Sequence, residues 1–431
     1  MTRLSGYGRV QTVTAPTVHA AGDPATQLPA GHSVARGLGK SYGDAALPAR
    51  GGSAALTNTL DHVLEFDPAR RTITVEAGVT LDTIARLALR HGLFLPVTPG
   101  TRHITAGGAV ASDVHGKNHV QAGSVARHVT QLHLLTPQGH RTVTPADTLL
   151  WNATFGGMGL TGWILQMTFT LRSVPSRTML VRHTPGRDLD AVLTDLSEST
   201  DEYAVAWVDT LAQGRHFGRG VTIHASHSPG LTRGPTPDFT LPVSLPRGAL
   251  NAGTVSAFNQ AYYAALSRRD TGLQDAYPYF YPLDSIQNFN RLYGPRGFYQ
   301  FQFVLPEHTA ARGLPVLLEA FTRARVPSFL AVLKRYGEES GGLLSFPMQG
   351  YGFALDVPAS PHAADFLRSL EPALLAFGGR TYLAKDSLTT PGGLRVMYPH
   401  LPAFLEFKRE LDPQMQLRSH LSDRLGLTFT P

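Results

Sequence analysis

A chain of 431 residues is long for one ordinary core, so two domains, or one domain carrying a large insertion, are expected. Apolar residues at 42% against 16% charged ones describe a well-packed globular protein, and a net charge of +6 scattered along the chain favours an anionic ligand or membrane surface over nucleic acid. The absence of cysteine excludes disulfides, zinc–thiolate centres, thiol nucleophiles and cysteinyl-linked cofactors.

The N-terminal "MTRLSGYGRVQTVTAP" lacks the apolar stretch of a secretory signal. No run of about 18 apolar residues follows, so the expected address is the cytoplasm. Short runs in the first 175 residues, "HSVARG", "HVLEFD", "RTITVEAG", "VTQLHLLT", "HRTVTP" and "GWILQMTFTLRSV", read as strands between Gly, Pro and Asp turns. Among them "TLDTIARLALRHG" reads as a helix. Leu81, Ile84, Ala85, Ala88 and Leu89 share one face, Thr80 caps it and Gly92 ends it. Many strands with few long helices predict an α+β layered domain.

From about 176 to 378 the texture changes. Helical segments "DLDAVLTDLSEST", "TVSAFNQAYYAALSRR" and "EHTAARGLPVLLEAFTRA" alternate with strands "YQFQFVLP", "FLAVLKRYG" and "YGFALDV". The stretch "SHSPGLTRGPTPDFTLPVSLPRG" reads as a loop or lid. This mixture suggests a separate substrate-facing domain. The last fifty residues, from "GGRTYLAKDS", close with the amphipathic helix "LPAFLEFKRELDP", stopped at Pro413.

High counts of Gly (43) and Pro (31) point to loops that approach a ligand closely, and four such loops stand out. "ARGLGKSYGDAAL", residues 35–47, has G-x-G-x-x-x-G spacing, and the "DAALPARGGSA" beginning at Asp44 is no helix. A pyrophosphate on a helix N-terminus is therefore not available there. Its glycine N–H groups can still form a nest for phosphate oxygens, with Ser41 adding a hydroxyl. In "PGTRHITAGGAVASD", Pro99 and Gly100 set a turn, and Gly107 and Gly108 let backbone lie against a ligand. "FGGMGLTGWI", residues 155–164, is again small residues leading into a strand.

The fourth, "ASDVHGKNHVQAGS", places His115 and His119 four apart, the spacing of two metal ligands on one helical face. Gly116 opposes a helix there and no glutamate stands where a metalloprotease needs one. A hydrogen-bonded loop and a ligand-lining loop remain, with no metal expected. Together the four loops suit a long, flat, phosphate-bearing ligand. A flavin dinucleotide fits better than a nucleoside triphosphate, because there is no P-loop.

In their order, "ARGLGKSYGD", "PVTPGTRHITAGGAVASDVHGKNH", "GSVARHVTQLHLLT" and "FGGMGLTGWI" resemble the FAD-binding domain of the vanillyl-alcohol-oxidase (PCMH-type) flavoproteins. More narrowly, the chain is similar to the decaprenylphosphoryl-β-D-ribose 2′-oxidases. That similarity continues through "VAWVD", "YPLD" with "FNRLYGPRGFYQFQFVLP", "LSFPMQGYGFALD", and "YLAKDSLTTP" with "MYPHL". It implies a PCMH-type two-subdomain FAD-binding domain from residues 1–175, an α+β substrate domain inserted over 176–378, and a C-terminal return to the FAD domain over 379–431.

The resemblance also implies roles. Ala35, Arg36, Gly37, Leu38, Gly39, Lys40, Ser41, Tyr42, Gly43, Asp44 and Ala45 would cradle the FAD phosphates, joined by Gly100, Thr105, Ala106, Gly107 and Gly108. Ser112, Asp113, Val114 and His115 would run along the isoalloxazine, with Ile164 and Tyr382 completing the pocket. Lys385 would sit at the flavin's pyrimidine edge, a fixed cation for the charge that appears on the ring. Lys117 and Lys334 suit a phosphate, Gln302 suits sugar hydroxyls, and Tyr42 or His115 could help remove a hydroxyl proton.

The implied activity is oxidation of a sugar hydroxyl, C2 of a polyprenylphosphoryl ribose. The 2-keto product would pass to a partner short-chain reductase, with peripheral contact to the inner face of the membrane. An alditol or aldonolactone oxidase using oxygen is the alternative. Three departures are visible. Lys40 stands where related flavoproteins often carry a histidine bonded to FAD, which implies a non-covalent cofactor. Gly352 and Ala354 replace the Asn and Cys of mycobacterial members, and Phe280 and Tyr281 stand where the family tends toward Tyr-His.

Overall fold

Alternation of apolar and polar residues in "RTITVEAG" resolves into the strand Thr72–Glu76, whose pleat buries Ile73 and Val75 and turns the threonines outward. The computed structural model describes residues 1–23, 26–230, 239–246, 248–328 and 330–429. Of the segment expected to be a loop or lid, residues 231–238 and 247 lie outside the described residues, as does residue 329 at the start of "FLAVLKRYG".

Three sheets carry most of the fold. Thr17–His19, Ser53–Leu56 and Ser33–Arg36 pair parallel in that order, so Ser33–Arg36 feeds directly into the first glycine loop. Five antiparallel strands form the second, ordered Gly139–Val143, Val129–Thr136, Trp163–Thr170, Thr72–Glu76 and Val63–Asp67. The helix Leu81–Leu89 packs into its core through Leu81, Ile84, Ala85 and Ala88, with Thr80 Oγ1 accepting from Thr83 N as the cap.

The third sheet has eight antiparallel strands: Gly272–Asp275, Thr178–Gly186, Gly220–Ser228, Tyr203–Val208, Ala331–Tyr336, Gly350–Pro358, Phe298–Pro306 and Arg380–Thr381. Period-two alternation divides its faces. Phe301, Phe303, Leu333, Phe353 and Leu355 pack beneath the helices Leu189–Glu198 and Glu307–Ala324. Gln300, Gln302, Val332, Lys334 and Ala354 fall on the opposite face and line a crevice. The C-terminal segment supplies the edge strand Arg380–Thr381 and also closes on the N-terminal loop, where Asp44 accepts from Arg424 and His420.

Several short helices have no counterpart in the sequence reading, and one of them borders the crevice. Ala106–Ala111 forms a short helix despite its glycines, because Thr105 Oγ1 accepts from Gly108 N at its start. The glycines serve its packing: a Cβ on Gly107 would stand 2.9 Å from Ala77 Cβ.

Candidate active site

The first glycine loop, the helix Ala106–Ala111 and the polar face of the eight-stranded sheet enclose a crevice of about 480 Å³. The loop turns at Gly39 (φ +64°) and is pinned from two directions, by Tyr7 N on Ser41 O (2.8 Å) and Tyr42 N on Ala384 O (3.0 Å). At Gly37 a Cβ would lie 2.4 Å from Thr105 Oγ1, so the loop touches the helix cap only because glycine stands there. Gly100 and Gly159 differ: a Cβ on either would meet nothing within 4 Å, and both line the crevice.

Most of the residues singled out in the sequence meet at this wall. Ala35, Gly37, Leu38, Gly39, Lys40, Ser41, Tyr42 and Ala45 line it, as do Gly100, Thr105, Gly107 and Gly108. Ser112, Val114, His115, Lys117, Ile164, Tyr382 and Lys385 follow, and Gln302 and Lys334 arrive from two further strands. Five do not reach the wall. Arg36 turns its guanidinium to Ser5 O and Ala46 O, and Gly43 is packed against the Asp386 carbonyl. Asp44 is paired with Arg424, Ala106 lies in the core, and Asp113 accepts from Ser340, Ser345 and Ala126 N. These five are tied into the loops around the crevice.

The electrostatics turn on lysine. The chain has 38 Lys and Arg residues but five lysines: Lys40, Lys117, Lys334, Lys385 and Lys408. Lys408 is buried against Asp412 (3.0 Å), and the other four all line the crevice. None of those four has a carboxylate within 4.0 Å among the described residues. Burial pulls Lys117 down to about 7 and Lys334 to about 8, each from the usual range above 10. Lys385 is lowered by burial and by Lys334, against the support of Asp356. Part-buried ammonium groups gathered on one wall without carboxylate partners favour an anion. This scarcity was legible in the sequence as a count, and it picks out four wall residues without any motif.

His115 stands among these cations. Its Nε2 is 3.0 Å from Gln302 Nε2, its Nδ1 has no protein partner, and its ring packs edge-on to Tyr336 (5.1 Å) and obliquely to Tyr382 (5.2 Å). Burial, then Lys334, His119 and Lys385, hold it well below the usual range, so it is uncharged. His119 turns away, its Nδ1 accepting from Gly337 N (3.1 Å). Tyr42 is likewise neutral, its hydroxyl pushed well up by burial and by Asp356.

Sequence reasoning missed Asp356, Gln300, Tyr293 and Tyr279. Asp356 is fully buried beside the crevice, accepting from Gln300 Nε2 and Tyr293 OH. Tyr279 receives Lys117, whose Nζ donates to its carbonyl and lies 4.1 Å from its ring centre. Alternation in "YQFQFVLP" places Gln300 on the face of Gln302 and could have found it. The other three depend on tertiary contacts.

The crevice fits the flavin dinucleotide expected from the sequence. Bare glycine backbone at Gly100 and Gly159 leaves room a methyl would fill, Lys40 and Ser41 offer phosphate donors, and the His115 Nδ1 awaits a partner.

Comparison with known proteins agrees. Residues 30–144 match the family described as FAD binding domain. The chain is 35% identical to decaprenylphosphoryl-beta-D-ribose oxidase of Mycolicibacterium smegmatis, over 99% of this chain and 97% of that protein. It is 35% identical to the uncharacterized protein in mprA 5'region of Streptomyces coelicolor, over 81% of this chain and 100% of that one. It is 25% identical to alditol oxidase of a Streptomyces species, over 96% of each.

Proposed function

The chain belongs to the decaprenylphosphoryl-β-D-ribose oxidase family and is an FAD-dependent oxidoreductase acting on CH–OH groups, and from that premise we propose that it oxidises the 2′-hydroxyl of a polyprenylphosphoryl-β-D-ribose to the 2-keto sugar. The observation that carries this reading is the pair Lys117 and Lys334, which line the crevice with no carboxylate at ion-pair distance among the described residues and are not among the residues expected to hold FAD. An alditol brings no anion to such a site, whereas a phosphate-linked sugar does.

When bound, FAD supplies the acceptor for the hydride that leaves the sugar carbon. The chain's own residues bind and orient. Lys117 and Lys334 take the phosphate, and Gln302 holds the sugar through its amide. His115, uncharged, accepts from the Gln302 amide at Nε2, which leaves its proton on Nδ1 and makes that side of the ring a hydrogen-bond donor. Lys385 supplies positive charge at the crevice wall, part-shielded from water, where charge that develops on the flavin can be met. Tyr42 stays protonated and packs beneath that charge.

We assign the FAD-binding domain to residues 1–175 with the return 379–431, and the substrate domain to 176–378. The cofactor is held without a covalent bond, since the first glycine loop carries Lys40 and no histidine. The keto product requires a reductase, a separate protein. Among the described residues no helix is long and apolar enough to cross a membrane. Peripheral contact is supported by Leu38 at the crevice, and by exposed Phe239 and Val243 on the segment that pairs with Ile286–Gln287.

The test is flavin bleaching by farnesylphosphoryl ribose against simple alditols. Bleaching by the lipid phosphate supports the reading, and bleaching by alditols alone replaces it with an alditol oxidase. Acid precipitation that releases the yellow colour to the supernatant supports non-covalent attachment, and a yellow pellet overturns it.

A further inference from the structure

Three of the four crevice lysines rest on tyrosine rings. Lys40 Nζ lies 4.8 Å from the centre of the Tyr7 ring, Lys117 Nζ 4.1 Å from that of Tyr279, and Lys385 Nζ 3.6 Å from that of Tyr42. None of the three has a carboxylate within 4.0 Å among the described residues. Asp284, the one carboxylate lining the crevice among the described residues, accepts from Arg102 N (2.8 Å) and faces His103 instead. A carboxylate would hold an ammonium and also neutralise it. A ring face holds it through the quadrupole and leaves the whole charge for an anion.

Tyr7 is the ring that the fold goes furthest to place. It lies in the N-terminal stretch "SGYGR", outside the glycine loops, yet it lines the crevice. Its two glycine neighbours let the backbone touch two elements at once. A Cβ on Gly6 would stand 2.3 Å from Gly43 O, and one on Gly8 would stand 2.4 Å from Phe298 O. Tyr7 N donates to Ser41 O (2.8 Å), Gly8 N to Tyr42 O (3.2 Å), and Phe298 N to Gly8 O (2.8 Å). The segment is thus wedged between the first glycine loop and the strand Phe298–Pro306. The Tyr7 ring packs edge-on to Tyr42 (5.2 Å) and Phe298 (6.2 Å), which fixes the face that Lys40 meets. A lysine stem is long and flexible, and a ring that holds its end removes freedom that a ligand would otherwise have to freeze.

We propose that Tyr7 is a positioning residue of the cofactor site: its ring holds the Lys40 ammonium at the crevice wall, unneutralised, for a phosphate of FAD. The inference rests on reading the crevice as a flavin site. It does not depend on which sugar is oxidised.

The test is the rate at which FAD leaves the holoprotein, read as the rise of free-flavin fluorescence on dilution. Lys40→Met should speed release about tenfold. Tyr7→Leu should speed it about fivefold when Lys40 is present and hardly at all in the Lys40→Met background, a coupling that a double-mutant cycle isolates. Tyr7→Phe, which keeps the ring face, should release FAD at the wild-type rate. A ring that only packs the N-terminal segment would speed release equally in both backgrounds, and that additive result overturns the proposal. An unchanged rate in Lys40→Met overturns it too, as does release from Tyr7→Phe as fast as from Tyr7→Leu, which would assign the effect to the hydroxyl. Should Tyr7→Leu fail to fold by circular dichroism, Tyr7→Met carries the same expectation. A protein that purifies without flavin and takes up none removes the flavin reading and this inference with it. Additive losses in a yellow protein remove the inference alone.

Discussion

Lys385 Nζ lies 3.6 Å from the centre of the Tyr42 ring, which joins the C-terminal segment to the first glycine loop at the point where the crevice carries its charge. The contact is a cation–π pair out of water, with no carboxylate at ion-pair distance among the described residues. Replacing Lys385 with Met should lower kcat by roughly a hundred- to a thousandfold. It should also raise the unfolding midpoint, because a buried ammonium without an adjacent counter-charge costs stability. Steady-state kinetics and a thermal melt on the same preparation check both. A variant as active as wild type would remove Lys385 from the chemistry.

The phosphate site should be sensitive to pH in a defined direction. Lys117 and Lys334 carry charge below about 7 and about 8 respectively and lose it above. KM for a phosphate-linked ribose should therefore rise between pH 6 and pH 9, roughly tenfold for each lysine lost. A neutral sugar measured in parallel should show a flat KM. If both profiles coincide, the lysines do not bind phosphate.

Gly100 offers a test of the cofactor wall. A side chain there meets no protein atom within 4 Å of its Cβ, so Gly100→Val should fold normally. On the proposed reading the crevice it enters takes the dinucleotide, so FAD affinity should weaken by roughly ten- to a hundredfold. The ratio of flavin to protein absorbance after gel filtration reads the loss. Full flavin occupancy at limiting FAD would place the cofactor elsewhere.

Asp44 should matter to stability, not to binding. Arg424 grips both its oxygens (2.8 and 2.9 Å), and His420 adds a third bond. Burial pushes its carboxyl up, but the bonds from Arg424 and His420 more than offset that and leave it below the usual range. A lowered folded value means this stabilisation is present above the unfolded pKa and is lost as pH falls through the folded one. Asp44→Asn should cost about 3 kcal/mol near neutrality. Denaturant melts at pH 7 and pH 3 should show the difference between variant and wild type shrinking at the lower pH.

Much of this molecule was legible in one dimension. The pleat pattern of "RTITVEAG", and the face shared by Leu81, Ile84, Ala85 and Ala88, are local signals, because burial there follows the 2- and 3.6-residue periods directly. The glycine loops, the absent cysteine and the count of five lysines were likewise in the composition and spacing, whereas the gathering of four of them at one wall was not. What the glycines of 106–111 do was not: a short helix forms there because Thr105 caps it and Ala77 lies too close for a Cβ, and both facts are tertiary.

The sequence by itself determined which residue types this protein could offer a ligand: amides, hydroxyls, two kinds of cation, and bare backbone. Only the folded chain decided which of them share one dry space. Lys117, Lys334 and Lys385 come from separate segments, and they share one wall only because the sheet and loops bring them together. Coulomb coupling depends on distance and on the surrounding dielectric, and neither quantity exists until the sheet and loops close around the crevice.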